Sequence, residues 1–500
     1  TSSPAPGSTA APSSTAPATP PDDPDGAGQA PESPLPAGDP ERSRFVYVDA
    51  SDVTWTGTID GVVEVPLYWE EDTGERCFVV LGTITPTGVP GLVSEAWSTP
   101  YVTVFIDGEE AEFGDLPCAT EEIAAGGHGS LFDANVTAGT EYAFYVDFSL
   151  PEDAGQPQAV AVGDGIDAWT FFDATVLDEV PAYRRGPVGP LPVEPLPITD
   201  DQPGAFAHTD ELIGDAWSGT IAGLVEIPLD EYAEQDGTCY AVLATVTADA
   251  VGAGAVTTAY AAPRTGLIAG GRLIDDFSGC SYGAPEDAGY LWFNDAEVTP
   301  GTQVSVYRTL FVPEEFAGDL QAIVVGDPWD APTVLAPHVL GGFPPVDIVP
   351  GPPPASDLAA AGTAFEQVDD YSGTTWTVTV HGHLTNRGAS GDQCVTVLVS
   401  ATLTGGDVGE HPPLIGLIVG GRVVSEDFVC EDPAVREAGY VESTRPRAIG
   451  DTVHLYAPFR VPDQLGDPQA IVVGSGDEPP GQVLVAPSAL SAVPPVVPVR

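Results

Sequence analysis

Six cysteines carry the clearest chemistry in this 500-residue chain. They fall into three pairs, Cys77 with Cys118, Cys239 with Cys280 and Cys394 with Cys430, each at the same place in one of three repeats. Many pairings are open to six cysteines, and repeat symmetry selects one internal disulfide per repeat. Closing a loop of ~40 residues stabilises a domain by roughly 4 kcal/mol on the chain-entropy account. No pair has the C-x-x-C spacing of a structural zinc site. Stable disulfides imply an oxidising, extracytoplasmic compartment.

The other reactive residue types form weaker patterns. His381 and His383 stand two apart on an expected strand, which would place both on one face in a geometry able to hold a metal; no third ligand is evident. His128, His208, His338, His411 and His454 read as scattered loop or linker residues. Gly279-Cys280-Ser281-Tyr282-Gly283 matches Gly-x-Ser-x-Gly. A nucleophile elbow needs a strand before it and a helix after it, whereas Ala284-Pro285-Glu286-Asp287 reads as a loop. Adjacent acids such as Glu109-Glu110 and Glu121-Glu122 read as solvated surface among 74 acidic residues, not as a glycosidase pair across a cleft. Calcium is the one cofactor considered, at Asp164-Gly165-Ile166-Asp167 or near Asp22; no complete Asp-x-Asp-x-Asp-Gly loop is present, and the expectation is no cofactor. Trp97, Trp169, Trp292 and Trp329 have no counterparts in the other repeats. Exposed tryptophan can stack on sugars, which makes Trp97 and Trp292 the candidate ligand-binding residues.

Charge narrows the partners. Fifteen basic residues, all arginine, face 74 acidic ones, for a net charge of −59. Such a chain repels nucleic acid and anionic membrane. Lysine and methionine are absent, the usual mark of GC-rich coding of the actinobacterial kind. No apolar run approaches the ~20 residues of a membrane span. The opening at Thr1 suggests a processed form, with an N-terminal lipid or cell-wall tether as the expected attachment.

Elements that would position these residues repeat at a period of roughly 150–160 residues. Trp55-Thr56-Gly57-Thr58-Ile59-Asp60-Gly61 returns as Trp217-Ser218-Gly219-Thr220-Ile221-Ala222-Gly223. Gln321-Ala322-Ile323-Val324-Val325-Gly326 returns as Gln469-Ala470-Ile471-Val472-Val473-Gly474 and, more loosely, as Gln158-Ala159-Val160-Ala161-Val162-Gly163. Short β-rich runs are separated by turns such as Asp107-Gly108, Gly270-Gly271 and Gly420-Gly421. The reading is all-β: three tandem immunoglobulin-like β-sandwich domains joined by Pro-rich linkers. Residues 1–42 form a disordered Ser/Thr/Pro/Ala-rich spacer, 43–180 the first sandwich, 181–208 a linker, 209–340 the second sandwich, 341–362 a linker, 363–488 the third sandwich and 489–500 a tail.

The run from Thr299-Pro300-Gly301 to Val325, with turns such as Asn386-Arg387-Gly388, resembles the closing half of secreted immunoglobulin-like domains of Gram-positive lipoproteins. That resemblance implies a β-sandwich fold and brings no catalytic residues. The paired cysteines and the Gln-Ala-Ile-Val-Val-Gly ending lie outside the pattern.

The expected function is therefore non-catalytic: an extracellular or cell-envelope array serving as a structural, adhesive or presentation module, with an unknown protein or glycan partner. The alternative is an extracellular carbohydrate- or solute-binding protein; a hydrolase ranks third. Thiol titration of the denatured, natively secreted protein should find no free thiol, and six would overturn the disulfide reading.

Overall fold

The computed structural model describes residues 35, 43–68, 74–111, 117–165, 168–230, 236–252, 254–257, 262–275, 279–329, 331–369, 372–388, 391–408, 411–474 and 482–496. The spacer reading of residues 1–42 lies outside these apart from Leu35. The described residues are all-β with three short α-helices, α1 (Glu121–Ala125), α2 (Gly283–Asp287) and α3 (Pro433–Glu437).

The strands of the first section are β1 (Arg44–Val48), β2 (Thr54–Val65), β3 (Glu75–Thr87), β4 (Tyr101–Ile106), β5 (Glu109–Glu110), β6 (Gly129–Ser130), β7 (Tyr142–Pro151), β8 (Ala159–Gly163) and β9 (Trp169–Asp173). In the second they are β10 (Gly204–Thr209), β11 (Ala216–Ile227), β12 (Gly237–Ala250), β13 (Thr265–Ala269), β14 (Arg272–Ile274), β15 (Leu291–Trp292), β16 (Gln303–Pro313), β17 (Leu320–Val325) and β18 (Thr333–Leu335). The third has β19 (Ala364–Val368), β20 (Thr375–Arg387), β21 (Gln393–Gly405), β22 (Ile415–Val419), β23 (Arg422–Val424), β24 (Thr452–Val461), β25 (Pro468–Val473) and β26 (Val483–Val485).

Each section contains a large sheet and a small one. The large sheets run β1-β2-β3-β7-β6, β10-β11-β12-β16-β15 and β19-β20-β21-β24. The small ones run β5-β4-β8-β9, β14-β13-β17-β18 and β23-β22-β25-β26. Both sheets of a section feed one core. In the second, Trp217, Ile221, Val242, Val306 and Leu310 of the large sheet pack with Leu267 and Ile323 of the small one. Trp55 and Trp376 hold the place of Trp217 in the other cores.

The central strands are buried on both faces. Cys77 to Gly82, Cys239 to Ala244 and Cys394 to Val399 are each six consecutive buried residues, where a half-exposed strand would alternate. One face looks into the core between the two sheets. The other carries a satellite cluster, such as Cys239, Ala241 and Leu243 with Cys280, Tyr290 and Tyr307. The three disulfides join the expected partners, with Cα–Cα distances of 5.6, 5.6 and 5.2 Å. They lie on this outer face and pin the helix-bearing segment to the large sheet, instead of crossing between the sheets.

A bulge recurs where the satellite cover crosses. The pairing shifts between Ile59 and Gly61, Ile221 and Gly223, and Val380 and Gly382. All three glycines have positive φ, and a Cβ on them would meet Thr175 O at 2.6 Å, His338 O at 2.5 Å and Ser488 O at 2.3 Å. The returning chain needs that close approach, since it bonds the strand through Val62 N, Leu224 N and His383 N. The stretches read as connectors are bonded as well: Leu196 N donates to Val334 O, and β10 already begins at Gly204.

Replacing Trp217 by Ala should cost about 3–5 kcal/mol, because no neighbour can fill its volume. Urea unfolding followed by near-ultraviolet circular dichroism measures it.

Candidate functional site: the junctions, an aromatic pair and a histidine bridge

The small-sheet edge strand is the element that organises the contacts between sections. In β14 the edge is covered by the preceding section: Thr137 N donates to Gly271 O at 2.8 Å and Leu273 N to Asn135 O at 2.9 Å. The same pattern recurs at β23, where Thr299 N donates to Gly421 O at 2.8 Å and Val423 N to Glu297 O at 2.9 Å. A paired hydroxyl locks each seam. Thr137 and Thr140 bond at 2.7 Å and Thr299 and Thr302 at 2.9 Å. A Cβ at Gly271 would stand 2.3 Å from Thr140 Oγ1, and one at Gly421 2.2 Å from Thr302 Oγ1. Gln321 and Gln469 accept from Gly271 N and Gly421 N at 2.6 and 2.7 Å.

Apolar contacts and charges complete the seams. Leu92 and Val93 pack with Ile268, Ala322 and Val324, while Ala255 and Val256 pack with Ile418, Ala470 and Val472. At the first junction Arg272 stacks on Tyr142 at 4.6 Å and Phe316 at 5.1 Å, and Arg185 pairs with Asp319 at 2.6 Å. At the second, Arg422 is buried, and its Nη2 donates to Gln303 O at 3.3 Å.

The two outer faces depart from this chemistry. By strand register, Asp107-Gly108-Glu109 stands where Gly270-Gly271-Arg272 and Gly420-Gly421-Arg422 stand. The first edge strand, β5, is thus two exposed glutamates. Gln158 there turns to Asp107 Oδ1 at 3.0 Å. At the far end Ala448 and Asp451 take the places of the paired threonines, with Asp451 Oδ2 accepting from Arg447 N and Ala448 N of its own loop.

The tryptophans separate into two kinds. Trp97 is 70% exposed and packs, tilted, against Trp329 of the next section with ring centroids 5.1 Å apart. Trp329 Nε1 donates to Ser94 O at 3.2 Å, so the pair straddles the first junction. Trp292 on β15 is half-buried, wedged against Tyr282 at 5.4 Å and Tyr307 at 5.2 Å over the satellite cluster. Sequence reasoning missed Trp329 as the partner of Trp97, because its only signal was absence from the other repeats.

The histidines also sort differently from their spacing. The bulge at Gly382 adds one residue, so His381 and His383 leave the strand on opposite faces. His383 pairs with Val397, a residue of the core between the two sheets, and is buried. His381 Nε2 bonds Ser400 Oγ at 2.7 Å, and the same Oγ bonds His454 Nδ1 at 2.8 Å. His454 lies on β24 and His208 on β10, not in loops; His338 pairs with Asp200 at 2.8 Å and His411 with Arg445. Burial holds His381 below the ordinary imidazole value, helped by His454, and burial lowers His454 too. The bridge joins three strands, with Tyr440 edge-on to both rings at 6.4 and 5.9 Å.

Ser281 follows a disulfide cysteine, and the residues after it form α2, not the expected loop. Among the described residues no strand leads into Ser281, whose N–H bonds Pro228 O. Glu121 and Glu122 occupy the first turn of α1 and are exposed. Asp164 Oδ1 accepts from Ala168 N, while Ile166, Asp167 and Asp22 lie outside the described residues. Among the described residues, no three His, Cys, Asp or Glu side chains converge as metal ligands, and no helix is long and apolar enough to cross a membrane. No protein-family model and no curated protein matches the sequence.

Two outcomes follow. Gly271→Val should open the first junction, splitting one calorimetric transition into two, with a cost of about 1–3 kcal/mol from positive-φ strain alone. The unfolded chain binds protons at His381 and His454 near pH 6.5, where the folded chain does not. Their contribution is full above that pH and is lost as pH falls through the depressed folded values. The Tm gap between the parent protein and a His381→Asn/His454→Asn variant should shift in the variant's favour below pH 6.5.

Proposed function

We propose that the chain is a non-catalytic extracellular or envelope-attached array of three immunoglobulin-like sandwiches, locked end to end to present a binding surface at fixed spacing. The carrying observation is the junction. The same backbone pairing and threonine lock occur at both internal seams, and different residues occupy both outer faces. Unpaired strand edges invite association, and paired glutamates on β5 oppose it. This supports an array whose β5 edge does not recruit further copies of the chain. The disulfides support an oxidising location.

Two measurements test this reading. Sedimentation should give a monomer across salt concentrations, while Asp107→Gly/Glu109→Arg combined with Ala448→Thr/Asp451→Thr should promote end-to-end association. Fractionation of host cells should place the oxidised protein in the envelope or medium; a reduced cytoplasmic pool would sink the proposal. A second reading, carbohydrate binding, is favoured by the exposed Trp97 packed against Trp329. Trp97→Ala should abolish glycan retention while leaving the Tm unchanged.

A further inference from the structure

The middle section breaks its own repeat at three positions that meet in one pocket. On β16, Arg308 pairs with Val242; the same register places Val146 opposite Val80 and Ala457 opposite Val397. Its neighbours on the inward face, Val306 and Leu310, belong to the core, so Arg308 is directed between the two sheets. On β13, Thr265 pairs with Val325, where the other sections pair Val102 with Val162 and Ile415 with Val473. Arg264 precedes it, in the place of Tyr101 and Leu414. Tyrosine, valine and valine, or leucine, isoleucine and alanine, have become arginine, threonine and arginine.

The sandwich does not satisfy these polar groups. Thr265 is 1% exposed, and its hydroxyl has no partner among the described residues. Arg308 donates through Nη2 to Asp275 O at 3.1 Å, while its buried Nε has no partner. Neither Arg264 nor Arg308 forms a salt bridge among the described residues. Both line a cavity of about 80 Å³ with Thr265, Gly266, Asp275 and Trp329. Buried polar groups are retained at a cost unless something pairs with them. An apolar trio, as in the other two sections, would fill the site without that cost.

We propose that this pocket receives the carboxylate of an acidic sugar, whose ring lies against Trp329, the indole that lines the cavity and pairs with Trp97. The cavity admits a carboxylate, and Trp329, which lines it, is paired with the exposed Trp97, so the rest of the ligand can meet indole surface. Guanidinium groups match a carboxylate's two oxygens, and indole faces suit sugar rings. Asp275 also lines the pocket and offsets one of its two positive charges. The chain's −59 charge is screened beyond roughly 8 Å at physiological ionic strength, which leaves the local arginines to act on a nearby ligand. The proposal rests on the carbohydrate-binding reading and adds the acidic class.

The test is calorimetric titration of the full chain with an oligogalacturonate and with a neutral glucan of equal length. Selective binding of the uronate, weakened at least tenfold by Arg264→Ala and by Arg308→Met, supports the proposal. Arg308→Met should keep or raise the Tm, since apolar residues fill that position elsewhere in the chain, so lost binding would not reflect unfolding. Asp275→Asn should tighten the uronate. Equal binding of both saccharides, dependent on Trp97 but not on either arginine, would overturn the pocket's role and leave the carbohydrate reading standing. Binding of neither would overturn both. Binding of an acidic peptide in place of the uronate would overturn the assignment to sugars.

Discussion

A sheet edge exposes a row of backbone donors and acceptors that must find partners, and this requirement organises the protein. In the second and third sections the edge strands β14 and β23 are three residues each, and the preceding section supplies the missing bonds. The positive-φ glycines at the turn let threonine hydroxyls approach the backbone closely. The first section has no predecessor in the described structure, and its edge carries charge instead of a partner. Junction geometry and end chemistry are thus two answers to one constraint.

Burial on both faces is the second organising feature. The central strands β3, β12 and β21 need cover outside as well as inside. The disulfide, the short helix and the returning segment supply it. The bulge glycine admits that segment to within bonding distance, so the staple and the bulge are parts of one device. In the third section the same bulge brings His381 beside Ser400 and His454. A conformational irregularity needed for packing therefore decides which polar residues meet.

Against this repetition, departures become informative. Most differences between sections lie in loops, where they cost little. Arg308 and Thr265 differ inside the sandwich, where an unpaired guanidinium nitrogen and hydroxyl oppose stability. Three equivalent scaffolds in one chain provide the apolar reference for what those positions otherwise hold.

By itself, the sequence determined the all-β class, the disulfide partners and the repeated closing strands, because cysteine symmetry and β-rich runs are local or periodic signals. It placed Trp97 among the binding candidates because nothing in the other repeats matches it. Tertiary structure decided the rest. A one-residue bulge reversed the facing of His381 relative to His383, an effect invisible in an i, i+2 spacing. Trp329 is far from Trp97 along the chain and meets it only because sheet edge joins loop across the junction, and the same indole lines the pocket of Arg264 and Arg308. Residue type and period are written in one dimension; convergence depends on which edge is left open and what covers it.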